Sequence, residues 1–167
     1  PAGDHTSAWI VPAILDGRLA LFLVERDAEG VKAVAYGTQN GGRAAELSMS
    51  NTPAVLLTKD GLSALEWGVD IGIAATCAEA VGAMDKLVAL TVEYMNTRKQ
   101  FGVNISSFQA LRHRMADIKM QLELARSMSY YATLKVNAPA AERRAAMARA
   151  KYQLGLSMRF VGQQAVQ

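Results

Sequence analysis

An α+β fold is expected, with strands confined to the first third of the chain and long helices filling the rest. Two observations predict it. Up to about Thr58 the apolar residues fall in short runs bounded by turn-forming pairs. From Gly61 onward they recur at steps of three and four, and no proline interrupts them until Pro139. The period changes once, and the class of structure changes with it.

The strand runs are Trp9–Leu15, Leu19–Val24, Val31–Tyr36 and Ala45–Met49, set off by Asp16-Gly17, Glu29-Gly30 and Asn40-Gly41-Gly42. Pairs of this kind supply the positive φ that tight turns need. Asp16-Gly17 between the first two runs marks a hairpin. Four strands leave sheet edges open, so a further segment is expected to complete the sheet.

The first helical stripe is Val69, Ile73, Cys77, Val81, Met84, Val88, Thr91 and Met95. The second is Phe108, Leu111, Met115, Ile118, Leu122, Ala125 and Met128. Asn137-Ala138-Pro139 ends the second helix and opens a third, since proline is tolerated in a first turn. The third stripe runs through Met147, Ala150, Leu154, Met158 and Val161. Methionines on such stripes read as core filling. Three long antiparallel helices leave an apolar flank that a fourth would cover.

Composition narrows the function classes. The 167 residues suffice for one ordinary domain or two small pieces, and 51% are hydrophobic, so a large core is within reach. No run of eighteen apolar residues occurs, which argues against a membrane span. Eighteen cations against fifteen anions leave +3, scattered except at Arg112/His113/Arg114 and Arg143/Arg144. That is a solvated face and no nucleic-acid stripe. The single cysteine, Cys77, sits at a helix-core position and reads as a packed thiol. His5 and His113 lack a second ligand at metal spacing, and neither Gly3 nor Gly41/Gly42 belongs to a phosphate loop. Pro1-Ala2-Gly3-Asp4 has no charged start or apolar run of a signal peptide, so a cytoplasmic location is expected.

The richest stretch runs from Tyr94 to Gln109, a corner between two helical patterns. Arg98 offers a planar fork for phosphate oxygens, Phe101 a stacking surface, and Gly102 a tight turn. Ser106-x-x-Gln109 reads as a capping box, whose helix N-terminus also favours anions. The plain alternative is a basic interhelical loop with a good cap, and on pattern alone it stands ahead.

Thr97-Arg98-Lys99-Gln100-Phe101-Gly102, Ile105, Phe108-Gln109, Met115-Ala116-Asp117 and Ala125-Arg126 together tip the balance. This pattern resembles the acyl-CoA dehydrogenase family, most strongly from about Ala75 to Arg126. The wording is closest to bacterial pimeloyl-CoA dehydrogenase small-subunit-like members. The resemblance implies that residues 1–60 are the C-terminal part of a middle β-domain. Residues 61–167 would then be the first three helices of a C-terminal four-helix bundle. It also implies a fragment of a longer polypeptide, with Gln167 leading into a Gly-Gly turn and a longer loop shortened at Asp16-Gly17-Arg18.

The implied reaction is FAD-dependent α,β-dehydrogenation of an acyl-CoA thioester. A buried carboxylate takes the α-proton, and the β-hydrogen leaves as hydride to flavin N5. The enolate-like thioester oxygen is held by a flavin hydroxyl and a backbone N–H. Relatives place the base at one of two positions. Counting back from Arg98, one falls on Gly72, which has no side chain, and the other lies beyond Gln167. Asp70 matches an aspartate that touches CoA, with a plain helix-surface acid as the equal alternative. The arginine some relatives carry three residues later is Ile73 here, and Glu79 is not taken as a base. Arg98, Gln100 and Phe101 match the corner that binds the FAD of a neighbouring subunit. Phe108, Gln109 and Gln167 match further flavin contacts, with Phe108 a core residue first. Asp117 and Arg126 match positions that pair helices.

A homo- or hetero-oligomer sharing its flavin sites follows from the resemblance, with an electron-transferring flavoprotein as acceptor. Two other readings stay open: a catalytically silent subunit of a heteromeric enzyme, and a non-enzymatic helical interaction module.

Overall fold

A computed structural model describes residues 5–167, so the reading of Pro1–Asp4, Gly3 included, lies outside the described residues. The chain divides into two compact units, one up to Glu66 and one from Trp67 on.

In the first unit β1 (Ala8–Leu15), β2 (Arg18–Glu25) and β5 (Val55–Thr58) form an antiparallel sheet in the order β1-β2-β5. The hairpin between β1 and β2 turns at Asp16 and Gly17, both at the positive φ that a two-residue hairpin turn needs and that Asp-Gly permits. As the central strand, β2 is buried on both faces, through Ala20, Leu21 and Val24. Its outer neighbours leave Ile10, Ile14 and Val55 exposed. Among the described residues β3 (Val31–Gly37) and β4 (Arg43–Met49) pair only with each other, a second antiparallel hairpin exposing Val34, Tyr36 and Leu47. The fifth strand corrects the expected four. Val55–Thr58 is only four residues long and follows Pro53, so its period is too short to read, yet it pairs along β2.

Gly30 fixes the start of β3. Its φ is +81°, and a Cβ there would stand 2.0 Å from the Ser50 carbonyl oxygen and 2.9 Å from Thr52 Oγ1. Gly30→Ala is therefore expected to lower stability by about 2 kcal/mol or more, combining backbone strain with a clash. Gly68→Ala is the control, because a Cβ at helical Gly68 meets nothing within 4 Å. Urea midpoints of the two variants check this; equal midpoints would contradict the close approach of β3 to Ser50.

The second unit is helical. α1 (Gly61–Thr97) enters it at Trp67, α2 (Gln109–Lys135) runs back, and α3 (Ala140–Val166) runs parallel to α1. The core gathers Ala74, Cys77, Val81 and Met84 of α1, Ile118, Leu122 and Ala125 of α2, and Met147, Leu154 and Val161 of α3. These are the expected stripes with two corrections. Val69 is exposed and Asp70 is buried in its place. Met158 is exposed while Ser157 is wholly buried, because Ser157 Oγ donates to Gln121 Oε1 at 3.0 Å and accepts from Gln153 Nε2 at 3.1 Å. Both polar groups escape an apolar-period reading because hydrogen bonds or charge pairing satisfy them in the interior. Arg126 pairs helices as expected, reaching Asp85 of α1 at 2.8 Å and Glu123 at 3.2 Å. Asp117 is exposed, and its side chain has no ion pair or hydrogen bond among the described residues. No helix among the described residues is long and apolar enough to cross a membrane.

Candidate functional site

The corner between α1 and α2 is a braced structure. The Arg98 amide donates to the Tyr94 carbonyl at 2.8 Å and closes α1. The chain then makes a minimal hairpin, β6 (Lys99–Gln100) against β7 (Val103–Asn104), and turns at Phe101 and Gly102. Asn104 Nδ2 donates to the Asn96 carbonyl at 2.8 Å, and the Ile105 amide to the Arg98 carbonyl at 2.9 Å. These bonds tie both ends of the hairpin to the end of α1.

Phe101 and Gly102 have φ of +54° and +82°, the pattern of a type I′ turn. Glycine adopts it without cost; a bulky aromatic does so rarely and under strain. The strain holds the Phe101 ring outward at 91% exposure, edge-on to Phe108 with centroids 6.2 Å apart. An exposed ring fixed in a strained backbone offers a stacking surface. Arg98, Lys99 and Gln100 are exposed beside it, and neither cation has an acidic partner among the described residues.

The expected capping box does not form. Ile105–Ser107 is a single 3₁₀ turn, and α2 begins at Gln109 with Phe108 as its N-cap and no side-chain cap. Ser106 instead accepts at its carbonyl from Arg112 Nε at 2.6 Å, while Ser107 Oγ donates to the Asn104 carbonyl. The tight turn carries Ser106 away from the helix start before its hydroxyl can serve. The consequence is an uncapped N-terminus without acidic residues in its first turn, a favourable place for an anion. Gln109 is exposed on that turn, and Phe108 is half-buried, its backbone at the cap and its ring against Phe101.

Gln167 comes to the same end of the bundle. Arg114 Nη1, on the second turn of α2, donates to Gln167 Oε1 at 3.3 Å. Arg98, Gln100, Phe101, Phe108, Gln109 and Gln167 thus share one end of the helical unit.

Asp70 lies elsewhere. It sits near the other end of α1, about 40 Å from Arg98 at an α-helical rise of about 1.5 Å per residue. Its carboxylate is paired with Arg143 Nε of α3 at 2.7 Å, both side chains nearly buried at 8% and 11% exposure, so the surface-acid alternative is wrong. Gly72 is exposed with open space around it, Ile73 packs on the core, and Glu79 is exposed. Burial pushes the Cys77 thiol up, with nearby Lys151 pulling weakly the other way, which suits a packed thiol and not a nucleophile. Among the described residues no cluster of three or more His, Cys, Asp or Glu side chains is arranged to hold a metal ion.

Residues 59–167 match the family model for the acyl-CoA dehydrogenase C-terminal domain. The chain belongs to the acyl-CoA dehydrogenase family. Among curated relatives, acyl-CoA dehydrogenase IpdE2 of Mycobacterium tuberculosis is 48% identical over 64 residues, 35% of this chain and 20% of the relative. Butyryl-CoA dehydrogenase from Megasphaera elsdenii superposes with a TM-score of 0.84 at 25% identity, covering 99% of this chain and 46% of that one. A chain of the ChsE4-ChsE5 complex from Mycobacterium tuberculosis gives 0.75 at 27% identity, covering 96% and 46%. The chain therefore spans a fifth of the first relative and under half of either solved structure.

Family resemblance names the corner residues and Asp70 but passes over their supports, Asn104 and Arg114 at the corner and Arg143 at Asp70. The two arginines stand in the tight basic clusters of the sequence, and that was the available signal. What each pairs with, Gln167 and Asp70, is 53 and 73 residues away and invisible to local pattern.

Proposed function

We propose that the whole protein is an FAD-dependent acyl-CoA dehydrogenase of the cytoplasm and that this chain supplies the corner gripping the cofactor of a neighbouring subunit. The observation that carries the reading is the strained, exposed Phe101 turn beside the unpaired Arg98 and the uncapped start of α2. Arg98 and the helix N-terminus would hold the pyrophosphate, and Phe101 would stack on a flat ring. Gln100, Gln109 and Gln167 would add amide hydrogen bonds. When bound, FAD supplies the acceptor for the β-hydride of an acyl-CoA thioester.

The length of α1 supports sharing between subunits. Asp70, the proposed acyl-CoA contact, and Arg98 are separated along one straight element by about 40 Å. The two sets of residues would then serve two different active sites. Ile73, apolar where some relatives have an arginine, speaks against ordinary fatty acyl specificity, and the pimeloyl-CoA kind of substrate is suggested by the family resemblance alone. An electron-transferring flavoprotein would reoxidise the flavin.

A silent subunit in a heteromeric enzyme is the second reading, favoured by Gly72 at one of the two base positions and by the likeness to the ChsE4-ChsE5 complex. The visible spectrum of the purified full-length protein tests the first step, and a flavin band is expected. A colourless protein that takes up no added FAD would sink both flavoprotein readings and leave a helical interaction module. Anaerobic bleaching of that band by butyryl-CoA or pimeloyl-CoA is expected of the enzyme. A band that no acyl-CoA bleaches belongs to the silent subunit.

A further inference from the structure

Phe101 stands at φ +54° with 91% of its surface exposed, so burial does not keep the ring in its strained turn. The ladder beneath it has two residue pairs, Lys99 with Asn104 and Gln100 with Val103. A hairpin that short is not stable by itself. A strained residue persists where its surroundings fix the backbone on either side of it. Here the fixing bonds leave from Asn104 and its neighbour. Asn104 Nδ2 donates to the Asn96 carbonyl at 2.8 Å, and the Ile105 amide donates to the Arg98 carbonyl at 2.9 Å.

We propose that Asn104 is a positioning residue for the flavin, latching the returning strand onto the end of α1 and so holding the Phe101 ring in place before the cofactor arrives. The inference rests on the reading of the corner as a flavin grip. The latch has a specific chemistry. Asn96 lies in the last turn of α1, where carbonyls lack a partner within the helix. The Tyr94 carbonyl is taken by the Arg98 amide at 2.8 Å and by Thr97 Oγ1 at 3.1 Å. The Asn96 carbonyl is met from outside the helix, by a side chain eight residues along. That place calls for a donor, and asparagine brings an N–H on a short, stiff stem. An aspartate of the same shape would set oxygen against oxygen.

Stability alone does not account for the arrangement. Asn-Gly is a pair that a type I′ turn favours, and phenylalanine in the first position brings backbone strain. Among the described residues none from Lys99 to Asn104 belongs to the apolar core. The latch therefore braces a ring that faces solvent. A ring ordered beforehand lowers the cost of ordering it when a ligand binds.

The test is the FAD affinity of the full-length protein, read from flavin fluorescence on serial dilution, for the unaltered chain, Asn104→Ala, Phe101→Asn and the double variant. Asn104→Ala is expected to weaken FAD binding about fivefold or more, through loss of one hydrogen bond and of the order it imposes. Its urea midpoint should barely move, since the latch lies outside the core. Phe101→Asn removes the ring and supplies a turn that holds itself. It should weaken FAD binding too, and Asn104→Ala should then add little to the loss. That non-additivity marks action through the ring. Amide exchange followed by mass spectrometry should quicken over residues 98–105 in Asn104→Ala and stay as it was in the helices. Unchanged FAD affinity in Asn104→Ala overturns the latch, and so does unchanged exchange over residues 98–105. An equal loss on both backgrounds also overturns it, by showing that Asn104 acts without Phe101. An unaltered protein that takes up no FAD removes the flavin reading of the corner and the inference with it.

Discussion

Arg98→Ala is expected to release flavin from the full-length protein on dilution while leaving its fold intact. The expectation has two parts, and both come from the surroundings of one side chain. Arg98 is exposed and makes no ion pair or hydrogen bond with its side chain among the described residues, so truncation removes no internal contact. Surface changes of that kind shift stability by no more than about 0.5 kcal/mol. A charge-assisted bond to pyrophosphate contributes about 1.5–3 kcal/mol, or roughly tenfold to a hundredfold in affinity. The hairpin should survive, because it is closed by the backbone of Arg98 and by Asn104, neither of which the substitution touches. Lys99→Ala is the comparison: a point charge on a flexible stem, expected to cost less than the planar fork. Flavin absorbance retained through a desalting column measures both. Full retention by Arg98→Ala would return the corner to a plain basic loop.

The corner was legible because its residue types are unusual for a surface turn: an arginine, a phenylalanine and a glycine between two apolar periods. Its geometry was not. Ser106-x-x-Gln109 has the letters of a capping box, but the backbone spends Ile105–Ser107 on a 3₁₀ turn and starts α2 only at Gln109. Local hydrogen-bond competition of this sort is decided by the preceding hairpin, which no short motif encodes. The helical stripes hold at most of the large apolar core positions, while Ala74, Ala80, Ala132 and Ala146 are buried outside them. They slipped by one position at Val69 and Met158, where a polar neighbour, Asp70 or Ser157, is buried instead. Those two polar groups enter the core through partners on other helices, Arg143 for one and Gln121 for the other. A period finds a face; it does not find a partner on another helix. The strand Val55–Thr58 was lost for a different reason, since four residues show no alternation worth counting and only pairing with β2 defines them. Hairpin turns fared best, because Asp16-Gly17 states its backbone conformation in its letters.

Leu122→Ala should be the most destabilising single truncation in the helical unit. Leu122 has no exposed surface and lies in the core that α1, α2 and α3 share, on the stripe between Ile118 and Ala125. Its neighbours on all three helices belong to long rigid elements, so the space left by the lost side chain closes only partly. Truncations of this kind cost about 2–5 kcal/mol, the upper end applying where collapse is hindered. Against a typical total of about 5–15 kcal/mol, that is a large share of the stability of the whole unit. Leu134, on the same helix and 82% exposed in this chain, provides the contrast. Leu134→Ala should leave the unfolding free energy of the isolated chain, read from urea denaturation, within about 0.5 kcal/mol of the original. The two variants therefore separate helix propensity, which both substitutions raise slightly, from packing, which only one disturbs. A midpoint for Leu122→Ala within error of Leu134→Ala would mean that α2 does not pack between its neighbours as described. The shared end that brings Gln167 to the corner depends on that packing and would fall with it.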